Sequence, residues 1–465
     1  MIEKTSPAAQ NRHLLQISSN REIGWVSRHR DCLFDLLIMP IILYTLALWL
    51  ILPLLVLKLV LRIIKNPSYL NRLGERFGKG KKIEPSFDLW IHAVSVGEVH
   101  AATPLVQGFL TDHPAARVII TTMTPTGARQ VADTFSTSVV HRYVPYDYGF
   151  AVKRFLDHVQ PKVLILMETE IWPNIIRHCH QRNIPVVMAN IRLSEKSASR
   201  YHMIRPLIRS VLSRVSVFAT QTEDDRRRLK TLGADANKIH RTGSTKFEIK
   251  MPFNIADLTH TIRAEWGFDR PVIVAGSTHE GEEALLLRTF KKLQARFSDL
   301  LLVIAPRHPE RFDPVARLVA KNGFGINRRS IDDRKLDNQV NVQIADTMGE
   351  LAILFGAADV AVVGGSLIPI RGIGGHNILE PCAAGVPVVF GSNMGNFLEI
   401  SRLTLEAKAG FQIKDEEDLD KVLSQLLQDS NLRNLMGDRG KNMIHQNTGA
   451  TSKTLQLILP LLNAQ

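Results

Sequence analysis

The sequence predicts an α/β fold made of two doubly wound parallel sheets, preceded by one membrane helix. Three observations carry this prediction. Short runs rich in Val and Ile alternate with helical stretches over most of the 465 residues. The alternation is interrupted near residues 243–260, and an uncharged apolar run occupies residues 36–57. A chain of this length usually forms at least two domains, and a hydrophobic content of 45% is enough to fill their cores.

The apolar run from Leu36 to Leu57 is about 22 residues long, enough to cross a hydrocarbon core of about 30 Å. It is longer than the apolar part of a cleaved signal peptide, and no small-residue cleavage site follows it. Basic residues from Lys58 onward place the main body on the cytoplasmic side. Arginines also precede the run, so an anchor that lies in the membrane without crossing it stays open. We interpret residues 34–65 as the anchor helix and residues 1–33 as a polar extension without an assigned function.

The formal net charge of +13 predicts a polyanionic partner, which could be nucleic acid, an anionic membrane surface or a phosphorylated substrate. Nucleic acid is disfavoured, because no tract of Lys and Arg stands out and aromatic residues make up only 6%. The three cysteines, Cys32, Cys179 and Cys382, lie far apart in the sequence. Their spacing disfavours a disulfide scaffold and a structural zinc site, and is typical of a reducing compartment.

The strands are predicted from continuous apolar runs, which are typical of parallel strands buried on both faces. In the first half they span 88–95, 116–122, 139–144, 162–167, 185–190 and 215–220, and in the second 271–276, 301–306, 340–345, 359–365 and 386–391. Helical intervals between them imply βαβ units.

We therefore predict a first domain at 66–245, a second at 246–440, and a last segment at 441–465 that packs back onto the first. We expect the two domains to face each other across a cleft, with ligands at the carboxyl ends of the strands.

Acidic residues follow two predicted strands of the first domain. In HAVSVGEV (92–99), Glu98 opens a helix, where the helix dipole favours a carboxylate; a plain capping role explains this position equally well. In METEIWPN (167–174), Glu168 and Glu170 follow a buried strand, where charge is costly without a partner or a task. A third strand end, in NIRLSEKS, offers Asn190, Arg192 and Ser194.

The second domain carries motifs suited to anions. In APRHPERF, Arg307 and His308 follow a strand, and arginine binds phosphates and carboxylates well. DTMGELAILF and GGHNILEPCAAG are glycine-containing turns that enter helices, whose first amides bind anions. Glu380, one helical turn in, could bind ribose hydroxyls.

Other site chemistries are disfavoured by the motifs that are present and missing. His279, His308 and His376 are too far apart in sequence to favour a metal site. The sequence has no HExxH, no P-loop and no strand-linked GxGxxG, which disfavours a P-loop NTPase and an NAD oxidoreductase.

Taken together, these segments resemble the 3-deoxy-D-manno-octulosonic acid (Kdo) transferases of lipopolysaccharide synthesis. The matching stretches occur in family order from about residue 60 onward: HAVSVGEV, TTMTPTGARQV, YVPYD, METEIWPN, ANIRLSEKSASRY, GSTKF, GSTHEGEE, PRHPERF, DTMGEL, GGS and GGHNILEP. The resemblance implies a GT-B fold, CMP-Kdo as donor and a lipid A precursor, lipid IVA, as acceptor at the cytoplasmic face of the inner membrane. It also implies inversion at the anomeric carbon with neither a metal nor another cofactor.

The resemblance further implies roles for individual residues. Glu98 is the proton acceptor, and Glu168 and Lys246 stabilise the transition state. The donor nucleotide would be bound by Pro306, Arg307, Met348, Gly349, Glu350, Asn377, Ile378, Leu379 and Glu380. Lys246, in the segment between the domains, is expected to reach the cleft only when the domains close. The loop LIPIRGI is longer than the family pattern, so no role is carried over to Arg371.

Two alternatives stay open beside the Kdo transferase. One is another GT-B glycosyltransferase or a sugar-nucleotide epimerase that uses a UDP-sugar. The other is a basic, lipid-binding membrane protein without enzymatic activity, which would not require polar motifs at so many strand ends. The sequence indicates neither the number of Kdo residues added nor the oligomeric state.

Overall fold

The computed structural model describes residues 39–80, 84–249, 251–331, 336 and 339–463. The predicted polar extension and the first five residues of the predicted anchor helix lie outside the described residues. The chain divides into two compact units. The first combines Met1–Lys246 with Gly449–Gln465, and the second is Phe247–Thr448.

The anchor helix α1 spans Met39–Lys65 and is long and apolar enough to cross a membrane by length and composition. Two short 3₁₀ turns, Pro67–Leu70 and Leu73–Phe77, connect it to the first strand.

The first unit is a seven-stranded, all-parallel sheet flanked by helices. Its strands are β1 Phe87–His92, β2 Val118–Thr122, β3 Val140–Tyr143, β4 Pro161–Met167, β5 Val186–Ile191, β6 Val217–Thr220 and β7 Ile239–Arg241, in the order β3-β2-β1-β4-β5-β6-β7. Its helices are α2 Val96–Asp112, α3 Pro125–Phe135, α4 Gly149–Val159, α5 Pro173–Gln181, α6 Glu195–Met203, α7 Arg205–Leu212 and α8 Glu223–Leu232. The strand order reverses direction between β1 and β4, which is where doubly wound sheets bind ligands.

The second unit repeats this design. Its parallel strands are β8 Val272–Thr278, β9 Leu301–Pro306, β10 Ile326–Arg328, β11 Val342–Ile344, β12 Val360–Val363, β13 Val388–Gly391 and β14 Gly410–Ile413, in the order β10-β11-β9-β8-β12-β13-β14. Its helices are α9 Ile255–Trp266, α10 Glu282–Gln294, α11 Phe312–Lys321, α12 Leu351–Gly356, α13 Leu379–Ala384, α14 Leu398–Glu406, α15 Glu416–Gln428 and α16 Ser430–Asn447. The direction reverses between β8 and β12. The predicted doubly wound fold is confirmed in both units.

Both faces of each sheet are buried, as continuous apolar strands require. In β4, Leu164 and Leu166 belong to one hydrophobic core, whereas Val163, Ile165 and Met167 belong to another. The alternation follows from the period of two along a strand. The second unit also has two cores.

Two domain boundaries differ from those predicted. Lys246 belongs to the first unit and not to the start of the second, and the preceding Thr245 N–H donates to Asn190 Oδ1 of that unit over 3.2 Å. The predicted boundary at 441 falls inside α16, which continues to Asn447 before Gly449 turns the chain at a φ of 93°. The last helix, α17 (Ala450–Asn463), then belongs to the first unit.

Candidate active site

Glu98 lies in the first turn of α2, directly after the carboxyl end of β1. Ser95 caps this helix, and its hydroxyl donates to Glu98 Oε1 over 3.2 Å. The backbone N–H of Val94 donates to Glu98 Oε2 over 2.7 Å. A capping role is therefore fulfilled, but capping does not explain why the side chain is only 8% exposed.

The surroundings of Glu98 favour its neutral form. Burial, opposed by the Val94 N–H and assisted by the nearby carboxylates of Glu170 and Glu168, raises the pKa of Glu98 to about 8. A carboxyl with such a pKa can accept a proton near neutral pH, as a general base must.

Glu168 and Glu170 lie at the end of β4, the strand beside β1. Glu168 has a φ of 54°, a left-handed conformation that is strained for a residue with a side chain. Its backbone N–H donates to Ala189 O over 2.8 Å. Trp172 Nε1 donates to Glu170 Oε2 over 2.8 Å, while burial and then Glu168 raise the pKa of Glu170. This turn brings Glu168 and Glu170 close enough to Glu98 for their carboxylates to raise its pKa.

Lys246 joins these acids within the first unit. Burial lowers the pKa of Lys246, the Glu168 carboxylate opposes that shift, and Arg192 adds to it. Lys246 thus lies near Glu168 within the first unit, while its approach to a cleft when the domains close stays a prediction. Glu98, Glu168 and Lys246, which are distant in sequence, are brought together at one sheet edge.

Asn190 and Ser194, at the third predicted strand end, make structural hydrogen bonds near the end of β5. Asn190 is buried, has a φ of 55°, and accepts a bond from Thr245 N over 3.2 Å, next to Lys246. Its Nδ2 has no hydrogen-bond partner among the residues that the structure describes. Ser194 caps α6 by accepting from Ser197 N, so its hydroxyl has a structural role.

In the second unit, Arg307 follows Pro306 at the end of β9, and its side chain is exposed. The rings of His279 and His376 stack at 5.0 Å, with 2.7 Å between their Nε2 atoms, and His308 lies 5.6 Å from His279. Burial, and then the charge of Arg307, lower the pKa of His376 to about 4. The structure thus brings together three histidines that the sequence separates, beside an arginine.

Glu282, which organises this end of the second unit, was not predicted from the sequence. Its side chain is fully buried in the first turn of α10. Its carboxylate accepts from the N–H groups of His279, Gly365, Ser366 and Leu367 over 2.8–3.1 Å. The motif GSTHEGEE gave the only signal, and it does not identify the distant loop that Glu282 holds.

Asn377 and Glu380 form a polar pair at the start of α13. Asn377 Nδ2 donates to Glu380 Oε1 over 3.0 Å, and Asn377 Oδ1 accepts from Leu379 N. Burial raises the pKa of Glu380, and Asn377 and Arg307 partly offset this. Ile378 and Leu379, the residues between them, are fully buried in a core of the second unit and so anchor the backbone that carries this pair.

The turn before α12 carries Met348, Gly349 and Glu350. Met348 is exposed, and Gly349 has a φ of 87° with open space around it. Burial alone would raise the pKa of Glu350, but hydrogen bonds from Arg329 and Thr347 outweigh it and lower the pKa. Arg371, in the long loop before α13, is exposed.

No group of three or more His, Cys, Asp or Glu side chains within the described ranges could hold a metal ion. The absence of a metal and of other cofactors from the reaction stays a prediction.

Two doubly wound parallel sheets, each with polar residues where its strand order reverses, define the class of GT-B proteins. Solved structures support the fold. The UDP-GlcNAc 2-epimerase of Neisseria meningitidis aligns with 80% of this chain and 99% of its own (TM-score 0.54, 15% identity). A glycosyltransferase of Rickettsia africae aligns with 82% of this chain and 100% of its own (TM-score 0.52, 14% identity).

Sequence comparison identifies the family. Residues 71–249 match the family described as 3-deoxy-D-manno-octulosonic-acid transferase (kdotransferase), and residues 274–443 match glycosyl transferases group 1. The 3-deoxy-D-manno-octulosonic acid transferase of Haemophilus influenzae is 40% identical over 90% of this chain and 98% of its own. The 3-deoxy-D-manno-octulosonic acid transferase of Bordetella pertussis is 32% identical over 82% of this chain and 90% of its own. The chain belongs to the Kdo transferases, a family of glycosyltransferases, which confirms the resemblance seen in its motifs.

Proposed function

We propose that this protein transfers Kdo from CMP-Kdo to a lipid A precursor, lipid IVA, with inversion and without a metal. The observation that carries the proposal is the buried Glu98, whose pKa of about 8 lies near neutrality beside Glu168 and Lys246. Membership of the Kdo transferases supports the sugar transferred.

In this reaction Glu98 takes the proton of the acceptor hydroxyl while the hydroxyl oxygen forms a bond to the anomeric carbon. The bond from that carbon to CMP breaks on the opposite face, so the configuration inverts. A base with a pKa near the working pH is efficient, since an adequate fraction is ionised and still attracts the proton. The Val94 N–H, 2.7 Å away, holds the carboxylate in place.

Glu168 and Lys246 stabilise the charges that are present in the transition state. Positive charge builds on the sugar ring as CMP departs, and a fixed carboxylate offsets it. The ammonium of Lys246 offsets the negative carboxylate of Kdo. Such preorganised charges act strongly where water is excluded. Their mutual attraction supports this assignment.

We assign the donor nucleotide to the second unit. Arg307 is exposed and suits a phosphate. Glu380, fixed by Asn377, can accept from ribose hydroxyls. Pro306, Met348, Gly349 and Glu350 complete the binding surface, with Ile378 and Leu379 as its apolar support. The acceptor and an anionic inner-membrane surface, reached from the cytoplasmic side, complete the set of partners, and their charge suits the +13 of the chain.

The decisive experiment incubates the purified protein with CMP-Kdo and tetraacylated lipid A precursor and measures the products by mass spectrometry. The wild type should give Kdo-lipid and CMP, and product masses also count the Kdo residues added. Glu98→Gln should lower kcat/KM by roughly 10²–10⁴-fold. Glu417→Gln, an exposed first-turn glutamate of α15, is the matched control and should retain activity. Normal turnover by Glu98→Gln would refute the base.

The pH profile gives a further test. Because the base must be ionised, kcat/KM of the free enzyme should rise with pH and level off above the Glu98 pKa of about 8.

The nucleotide that the protein binds distinguishes a Kdo transferase from an enzyme that uses a UDP-sugar. CMP should raise the Tm of the protein more than UDP does, and the opposite ranking would favour the UDP-sugar enzyme.

A further inference from the structure

Helix α1 is fixed to the first unit by polar contacts in the middle of its apolar run. The Tyr44 hydroxyl donates to Asp147 Oδ2 over 3.0 Å, and Thr45 Oγ1 donates to Asn174 Oδ1 over 3.1 Å. One turn further, the Tyr148 hydroxyl donates to Leu48 O over 2.9 Å. Ile41, on the same side of the helix, is fully buried.

Asp147, which receives the Tyr44 hydroxyl, is also held by other contacts within the first unit. Asp147 also accepts from Asn174 N and Ile175 N, so it caps α5 while it binds Tyr44. It is 6% exposed, and a buried carboxylate with three donors strongly resists being moved. The contact with α1 is thus part of the fold of the first unit.

This docking conflicts with a helix that crosses a bilayer. Residues 41–48 lie at the centre of the apolar run 36–57, so a centred, crossing helix would carry Asp147 to the middle of the hydrocarbon. Beyond the contacts, only residues 50–57 remain apolar before Lys58. At 1.5 Å per residue they reach about 12 Å, whereas a hydrocarbon core is about 30 Å thick.

The opposite side of α1 presents a continuous apolar stripe. Its members recur at intervals of three or four residues and are 52–83% exposed; they are Leu43, Leu46, Leu50, Leu54, Leu57, Leu61 and Ile64. Spacing of this kind places side chains on one face of a helix. Lys58, Arg62 and Lys65 each directly follow a member of the stripe, so their ammonium and guanidinium groups can reach phosphates at its border.

We propose that α1 lies in the plane of one anionic leaflet, with this apolar stripe inserted and the first unit docked on its other side, and does not cross the membrane. In-plane amphipathic helices bury their apolar face about 5–10 Å deep. Asp147 and α5 follow the carboxyl ends of β3 and β4. The leaflet is thus held at the sheet edge that carries Glu98 and Glu168. This inference does not depend on the proposed donor or acceptor.

The two ends of α1 test the proposal. Cys179 and Cys382 are buried, which leaves Cys32, before α1 in the sequence, as the thiol for a membrane-impermeant maleimide. A second protein, Cys32→Ser with Glu417→Cys, reports the side on which the second unit lies. In sealed vesicles of each orientation, we expect Cys32 and position 417 to be labelled in the same population. Labelling of Cys32 only in the opposite population would overturn the proposal.

Depth along the stripe gives an independent readout. Nitroxides attached in Leu46→Cys, Leu50→Cys, Leu54→Cys and Leu61→Cys, each combined with Cys32→Ser, should show similar, shallow depths from oxygen and nickel accessibility. A crossing helix would instead give a depth that is greatest near position 46 and decreases toward position 61. Spin–spin broadening that disappears on dilution with unlabelled protein would show that a second copy covers the stripe, which would also overturn the proposal.

Discussion

At the scale of single residues, Glu98 combines two opposite requirements. Burial and the neighbouring carboxylates make its ionised form costly, yet the Val94 N–H and Ser95 hydroxyl fix its geometry for accepting a proton. Strain at Glu168, with a φ of 54°, belongs to the same site. Residues that serve chemistry therefore lower the stability of the fold here.

This conflict predicts a pH-dependent gain in stability for Glu98→Gln. The carboxyl ionises near 4.5 in the unfolded chain and near 8 when folded. Between these values the folded protein holds a proton that the unfolded chain releases, so wild-type stability falls as pH rises. Glu98→Gln removes this loss. The Tm of Glu98→Gln minus that of the wild type, measured by calorimetry, should therefore increase from pH 5 to pH 9.

The control for this effect is Glu417→Gln, whose difference in Tm from the wild type should be constant over the same range. A constant difference for Glu98→Gln as well would show that the pKa of Glu98 is not raised by folding.

Where a polar motif directly follows a buried strand, its place at the strand end was predictable from the sequence, whereas the roles assigned to its residues stay predictions. Glu98, Glu168 and Arg307 all follow this rule. The contacts of Glu282 with a distant loop and the pairing of His279 with His376 could not be predicted from the sequence. The partners lie 83–97 residues apart, and no local sequence pattern indicates which distant residues will meet. Asp147 was missed for the same reason, since Tyr44 is 103 residues away.

At the scale of elements, eleven strands were predicted and the three missed, β7, β10 and β14, are all edge strands. Their sequences, IHR, INR and GFQI, are short and partly polar because one side of an edge strand has no neighbour. Central strands are buried on both faces and therefore carry the continuous Val and Ile runs that the prediction used.

Close packing between helices predicts the effect of Gly437→Ala. A Cβ at Gly437 in α16 would lie 2.0 Å from Gly385 O, at the end of α13. Alanine favours a helix over glycine by about 0.5–1 kcal/mol, but a clash with backbone costs about 1–3 kcal/mol. We expect a net loss of stability in urea denaturation and weaker CMP binding by calorimetry, because α13 carries Glu380.

Gly395→Ala is the matched control, since no atom lies within 4 Å of the added methyl. Equal stability of the two variants would mean that α13 and α16 can separate without cost.

At the scale of the whole molecule, the chain leaves the first unit after Lys246 and returns at Gly449. The second unit is continuous and has its own two cores. The first unit needs the returning α17, whose Leu455 and Ile458 complete the core next to α2. The stability of the Glu98 site thus depends on the last residues of the chain.

Ile458→Ala tests this dependence. Ile458 is fully buried, so truncation should cost about 2–5 kcal/mol, and the loss should be confined to the first unit. Gln456→Ala changes an exposed residue of the same helix and should cost little. Hydrogen exchange followed by mass spectrometry should show faster exchange in α2 and β4 for Ile458→Ala, with α10 and α15 unchanged. Because Glu98 lies in the first turn of α2, transfer activity should fall while CMP binding is retained. Faster exchange in both units would show that they unfold as one, and that α17 does not act on the first unit alone.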